Sequence, residues 1–449
     1  MFNRPPVSTR PRVVIVGAGF AGLAAAQGLR SAPVDITLLD RRNFHLFQPL
    51  LYQVATASLS PGQISWPVRS IFSGQKNARV LMMEVNAVDT LSCTVTDGRS
   101  VVPYDYLVLA TGARHAYFGN EAWEPFAPGL KTIEDARALR EKLLRAYEAA
   151  EKTPDAAERR KCLTAVIVGG GATGVEMAGA VAELAHRTLR GEFRNIDPQS
   201  MRIVVVEAGA RLLRTFPVEL SEKCLTSLTG MGVEVRLKAR VTDCDARGVA
   251  VDGMRIDAAT VIWAAGVQAS SAADWLNARA DGSNRAFVSP TLNLGDYPEI
   301  FVIGDTCVAI SDGKPVPGIA PAAKQMGGYV AKVIGAHAAH KPLPPPFKYR
   351  HQGDLAVVGR GSAVVRVGKI SLSGFTGWVF WSLVHVMFLI GFRSKTSVAL
   401  DWIWAFVTRQ RSARLISDGD ASCLATPAPS DFQHSRKRDS TTQGGGHAA

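Results

Sequence analysis

The chain has 449 residues, 47% of them hydrophobic and 20% charged, enough for two or three domains that each bury a core. Its formal net charge of +12 is weighted toward the segment from Arg393 to Arg438, as suits nucleic acid or an anionic membrane. Six cysteines at 93, 162, 224, 244, 307 and 423 form no CxxC, CxxxxC or Cys/His cluster, which argues against a disulfide framework or metal site and for a reducing compartment.

Residues 13–29 are apolar but carry a glycine loop and no cleavage pattern, so they read as strand and helix rather than a targeting segment. Over 12–40 the order is strand, tight turn, helix, strand. Residues 79–110 alternate apolar runs with turn signals such as Thr96-Asp97-Gly98, predicting a β-meander that ends in a buried strand halted at Gly112. A charged helical stretch follows at about 132–160, and a second unit opens at Ala165. It repeats the first: loop, helix, a strand at 203–206 with an acidic end, and a closing strand-Gly run at 261–266. The run 300–305 returns to the first domain.

The expected fold is α/β: two Rossmann-like dinucleotide-binding domains, the second inserted in the first. The first covers 12–125 and 285–340 and the second 160–280. A Pro-rich linker at 342–346 introduces a C-terminal helical, membrane-anchoring region at 345–416, with a strand pair near 354–367. A disordered tail is expected at 425–449.

In Gly17-Ala18-Gly19-Phe20-Ala21-Gly22 the first glycine permits the turn and the second lets the backbone approach a pyrophosphate. The third lets the helix pack on the strand, so the helix N-terminus faces the anion. Asp40 ends the next strand, 18 residues beyond Gly22, and is placed to take ribose hydroxyls. Gly169, Gly171 and Gly174 repeat the pattern, with Glu207 coming 33 residues after Gly174. A carboxylate there repels a 2′-phosphate and favours NADH over NADPH, while Arg211 and Arg214 nearby soften that preference. Two dinucleotides in one chain point to electron transfer between them, hence an oxidoreductase. Glu176 has two readings, a helix-dipole partner or a carboxyl near the nicotinamide. Asp305, just after a buried strand and Gly304, is read as a ligand for a ribityl or phosphate-side hydroxyl.

These loops, Ala110-Thr111-Gly112 and Gly304-Asp305 resemble the two-dinucleotide flavoprotein superfamily. Within it, residues 40–55, 317–331 and 353–360 closely resemble the type II NADH dehydrogenases, and the resemblance covers about 12–416. It implies FAD held non-covalently at Gly17, Gly19, Phe20, Gly22, Asp40, Arg41, Gln48, Thr111, Gly112, Gly304, Asp305 and Ala322. Phe44, Pro49 and Leu50 match the segment beside the flavin ring. It implies NADH at Gly169, Gly171, Gly174, Glu207 and Gly266. The implied reaction is NADH oxidation with two-electron reduction of a membrane quinone, ubiquinone or menaquinone, without proton pumping. Many members carry Gln where this chain has Pro321, so Gln325 becomes the expected quinone contact and is grouped with Glu176 as catalytic.

Residues 374–392 run nineteen positions without a formal charge, at the edge of spanning length if helical. Ser382 and His385 in the middle count against a lipid-exposed span. Trp402, Trp404 and Phe406, followed by Arg409, Arg411 and Arg414, suit an interface with anionic lipid. The favoured reading is a monotopic anchor on the cytoplasmic face of the inner membrane, with no nucleic acid partner and a homodimer left open. The rival functions are a sulfide:quinone oxidoreductase, which needs redox cysteines such as Cys162 or Cys307 near the flavin, and a non-catalytic NAD(H) sensor.

Overall fold

The computed structural model describes residues 10–408, 411 and 413–416, and as far as Leu415 they pack as one unit. Arg12–Val16 buries its Val-Val-Ile-Val run, as a continuous apolar strand does at the centre of a parallel sheet covered on both faces. Asp35–Asp40 and Tyr106–Leu109 flank it, and Ala78–Met82 and Ile300–Val302 take the edges, all in parallel. The distant strand 300–302 thus completes a sheet begun at residue 12.

The meander expected over 79–110 is smaller than its apolar pattern suggested. Ala78–Met82 is drawn into the parallel sheet beside Ile36–Asp40, and only Ala87–Asp89, Thr94–Thr96 and Val101–Pro103 form the antiparallel ladder. The charged stretch that follows is two helices, Ile133–Lys152 and Ala156–Cys162. Thr132 and Asp135 form a capping box at the first, Pro154 halts it, and Asp155 caps the second.

The second sheet orders Val233–Leu237, Arg202–Glu207, Thr164–Val168 and Thr260–Trp263, again all parallel. In both sheets the glycine-loop strand lies between the strand that ends in the acid and the strand that returns later in the chain. Ala113–His115 pairs antiparallel with Val267–Ala269 and stitches the two halves together.

The expected C-terminal strand pair is a three-stranded antiparallel sheet, because Ile370–Ser373 adds to Asp354–Gly359 and Ser362–Val367. The helix Ala172–Glu183 packs on its first strand, and a Cβ at Gly179 would lie 1.6 Å from the Val358 carbonyl oxygen. Only glycine allows that approach.

The continuous apolar run at 374–392 is not one helix. The backbone leaves helical geometry at Leu389 (ψ 144°) and turns at Gly391 (φ +81°), giving helices Gly374–Phe388 and Phe392–Thr408. Among the described residues no helix is long and apolar enough to cross a membrane. The tail at 425–449, together with Arg409, Arg436, Lys437 and Arg438, lies outside the described residues.

Candidate active site

The two glycine loops are built alike. Gly17 and Gly169 have φ of +105° and +111°, where a side chain would be strained, and a Cβ on either would strike the carbonyl of Ala110 or Ala264. A Cβ on Gly22 or Gly174 would fall within 2 Å of the carbonyl oxygen of Gly17 or Gly169, at 1.8 and 1.9 Å, so each third glycine seats its helix on its own turn. Gly19 and Gly171 are open: a Cβ there would meet nothing within 4 Å. They are the N-caps of helices Phe20–Gly28 and Ala172–Glu183, and no side chain caps either helix, which leaves first-turn N–H groups for an anion.

The two acids are also matched. Asp40 accepts from the backbone N–H of Ala18 at 2.6 Å and of Arg42 at 2.7 Å. Glu207 accepts from Gly170 at 2.7 Å and from Gly209 at 2.6 Å. Each carboxylate fixes its glycine loop to the following turn, and each oxygen keeps a further lone pair for a ribose hydroxyl. The softening expected from Arg211 does not hold, because its guanidinium donates to the carbonyls of Phe216 and Arg214, both at 2.7 Å. The exposed Arg214 side chain is the basic group beside Gly209.

A cavity of about 590 Å³ opens over the first loop. Gly17, Gly19, Phe20, Asp40, Arg41, Phe44, Gln48, Pro49, Thr111, Gly112, Gly304 and Asp305 line it, while Leu50 is fully buried behind them. The Gln48 amide donates to the Lys131 carbonyl at 3.3 Å, and Thr111 and Ser270 share a hydroxyl hydrogen bond of 2.5 Å. Asp305 sits in a single 3-10 turn, Gly304–Thr306, rather than a longer helix, with the Lys131 ammonium 4.0 Å away. Helix Ala320–Ala338 begins at this cavity, lined by Ile319, Ala320 and Ala323, so a second positive helix end faces it. Lys131, Ser270, Ser271 and Trp275 also line it and carry no motif. They come from connecting segments whose approach only the fold fixes.

Two residues of this helix stand back from the cavity lining. Ala322 is 1% exposed and belongs to the apolar core behind the cavity, one residue out of phase with Ala323. Gln325 does not line the cavity either. Its amide donates to the Arg350 carbonyl and its oxygen accepts from the Arg350 N–H, both at 2.9 Å, which tethers the C-terminal segment to the helix.

Glu176 is the fifth residue of its helix, past the turn where the dipole acts, so the dipole reading fails. Its carboxyl lines both the large cavity and a smaller one of about 110 Å³ shared with Tyr52, Gln53, Trp381, Trp402 and Arg411. Burial pushes its pKa up to about 8, opposed only by a 3.5 Å contact from the Val357 N–H, so it holds its proton at neutral pH. Thr173 of the same helix also lines the large cavity. The second loop and the first cavity therefore share a helix.

The C-terminal helices dock through Trp381, which is fully buried, and through Trp402, whose indole N–H donates to Gln53 at 2.7 Å. His385 binds the Trp381 carbonyl through Nδ1 at 2.7 Å, and burial lowers its pKa to about 4, so it is neutral. The outer face is apolar: Phe375, Leu383, Met387, Phe392, Leu400, Ile403, Trp404 and Val407 are all exposed. Two arginines expected to meet lipid pair with acids of the protein instead, one of them buried. Arg411 is buried, donating to Glu183 at 2.8 Å and to the Thr56 carbonyl at 2.9 Å, and Arg414 pairs with Glu192.

Residues 11–327 match the family model described as pyridine nucleotide-disulphide oxidoreductase. Two Mycobacterium tuberculosis proteins, the type II NADH:quinone oxidoreductases NdhA and Ndh, are each 42% identical to this chain. The matches cover 92% and 93% of it and 90% and 92% of those proteins. The chain belongs to the type II NADH:quinone oxidoreductases. A Haemophilus influenzae protein of the same description is 31% identical over 80% of this chain and 89% of its own. A solved structure titled NDH2 from Plasmodium falciparum in complex with NADH superposes with a TM-score of 0.82 at 20% identity, covering 90% of this chain and 99% of that one, a likeness of fold.

As a type II NADH:quinone oxidoreductase the chain uses FAD and NADH and reduces a quinone. The cradle at Gly19, the two helix N-termini and Asp40 fit FAD, which when bound accepts hydride from NADH and delivers two electrons to quinone. The sulfide alternative is the less supported reading. Among the described residues the cysteines are free; Cys307 is buried behind Gly304 with its thiol pushed up to about 12, and Cys162 lies in a hydrophobic core.

Proposed function

We propose that FAD occupies the 590 Å³ cavity, on Gly17, Gly19, Phe20, Asp40, Arg41, Gln48, Thr111, Gly112, Gly304 and Asp305, and that NADH lies over Gly169, Gly171, Gly174, Glu207 and Gly266. The observation that carries this is the helix Ala172–Glu183: its N-terminus forms the second loop while Thr173 and Glu176 line the first cavity. A dinucleotide bound at Gly171 is thereby led toward the flavin. The domains follow as a discontinuous FAD domain, an inserted NADH domain and the C-terminal region.

The reaction NADH + H⁺ + quinone → NAD⁺ + quinol takes up one proton from outside. Glu176, protonated at neutral pH and lining both cavities, is the buried acid placed to supply it. The exposed apolar face of the two C-terminal helices, with Arg393 and Lys395 beside it, lies in the interface of an anionic bilayer as a monotopic anchor on the cytoplasmic side of the inner membrane. Gly171→Val tests the NADH assignment: turnover should be lost with FAD retained. Gly19→Val should lose FAD itself.

A further inference from the structure

The turn Tyr117-Phe118-Gly119-Asn120 follows the strand that crosses between the two halves. Its central residues both have positive φ, +55° at Phe118 and +88° at Gly119, and the Asn120 N–H closes it on the Tyr117 carbonyl at 3.1 Å. Such a turn selects Asn, Asp or Gly in its first central position, so a phenylalanine there works against the backbone. Nor is the ring placed for burial. Phe118 is 69% exposed, whereas its neighbours Tyr117 and Trp263 are each 3% exposed.

The turn does not need the ring either. Tyr117 stacks on Trp263 at 5.0 Å and donates its hydroxyl to the Ala127 carbonyl at 2.8 Å, and the Trp263 indole donates to the Ala116 carbonyl at 2.8 Å. Those contacts hold the segment. Beyond a tilted approach to Trp263 at 6.5 Å the ring stays largely open, and a strained aromatic left exposed in this way calls for a ligand.

Its position says which one. The far edge of the ring overlies Gly266, where a Cβ would fall 2.6 Å from Phe118 Cζ. Gly266 follows the strand Thr260–Trp263 through Ala264 and Ala265, the residues that close against the Gly169 turn. Across the C-terminal edge of the second sheet the order is therefore Glu207, the glycine loop, then Gly266 and Phe118. A dinucleotide with its adenosine ribose at Glu207 and its pyrophosphate at Gly171 carries its nicotinamide half past Gly266.

We propose that Phe118 contacts the nicotinamide half of NADH and sets affinity for it. The inference rests on NADH lying over the second loop. The test is steady-state kinetics of Phe118→Gly, Phe118→Asn and Phe118→Trp with a soluble quinone analogue. Glycine and asparagine both tolerate the left-handed backbone, so the fold is kept or stabilised while the ring is lost. The expected result is a KM for NADH raised ~10-fold in both, with FAD content and quinone KM unchanged, the melting temperature held or raised, and the parent KM restored in Phe118→Trp. Inhibition by AMP, which occupies the adenosine half, should be unchanged; a weakened AMP constant would overturn the assignment to the nicotinamide half. An NADH KM within ~2-fold of the parent, or a drop in melting temperature without a kinetic effect, would overturn a ligand role. Gly171→Val separates the two levels. If it loses NADH turnover while Phe118→Gly changes nothing, only the role of Phe118 fails. If Gly171→Val oxidises NADH normally, the placement of NADH fails and this inference with it.

Discussion

The Glu176 carboxyl meets the Val357 backbone N–H at 3.5 Å, where the helix of the second glycine loop packs on the C-terminal sheet. Burial there raises its pKa from an ordinary 4.5 to about 8. The native state therefore keeps a proton that the unfolded chain gives up. Stability should fall as pH rises between these two values, by up to ~1.4 kcal/mol per pH unit, and level off above the higher one. In Glu176→Gln this slope should be absent, which denaturant titrations at several pH values would check. The same variant should lower kcat with quinone far more than it raises the KM for NADH, and lose any activity limb near pH 8.

Gly179 controls that burial. A Cβ 1.6 Å from the Val358 carbonyl forces strand Asp354–Gly359 off the helix. Gly179→Ala should destabilise by ~1–3 kcal/mol and bring the Glu176 pKa back toward the ordinary carboxylate range. Melting temperature and the pH profile of turnover report the two effects separately.

Asp40 and Glu207 each satisfy two backbone N–H groups, so removing either leaves two donors without their partner, at a cost of about 1–3 kcal/mol each where buried. The consequences should differ by cofactor. Asp40→Ala should purify with depleted FAD, and Glu207→Ala should keep FAD but show a raised KM for NADH. Glu207→Gln removes the charge that repels a 2′-phosphate and should narrow the preference for NADH over NADPH. Flavin absorbance and parallel kinetics with both nucleotides decide this.

Arg411 is buried against Glu183 with a second contact to the Thr56 carbonyl, so it fastens the end of the C-terminal region to both segments. Arg411→Ala leaves Glu183 without its cation and should cost ~3–5 kcal/mol. The variant's binding to anionic vesicles should be kept, since the side chain lies away from the exposed apolar face. Leu383→Glu with Trp404→Glu should do the opposite: folding should be retained and flotation with vesicles lost.

The glycine loops, their acids and the two parallel sheets were legible because each rests on local rules: an apolar strand, a turn that admits only glycine and an acid at the next strand end. What stayed hidden depends on phase and partners. Ala322 and Ala323 are adjacent in the sequence and both buried, but only Ala323 also reaches the cavity wall, a matter of helix phase. Gln325 sits in a motif yet answers to Arg350, a contact no local pattern encodes. The break at Leu389–Gly391 was obscured because the uncharged run gave no polar signal, although Gly391 was there to be read. The inward turn of Arg411 depends on Glu183, far away in the chain.

The central claim is that the second loop delivers NADH to the flavin held over the first. Anaerobic NADH titration of flavin absorbance in Gly171→Val tests it most directly. The account predicts full FAD content, no bleaching by NADH at concentrations that bleach the parent, and normal bleaching by dithionite. Bleaching by NADH at the parent's concentration and rate would contradict it.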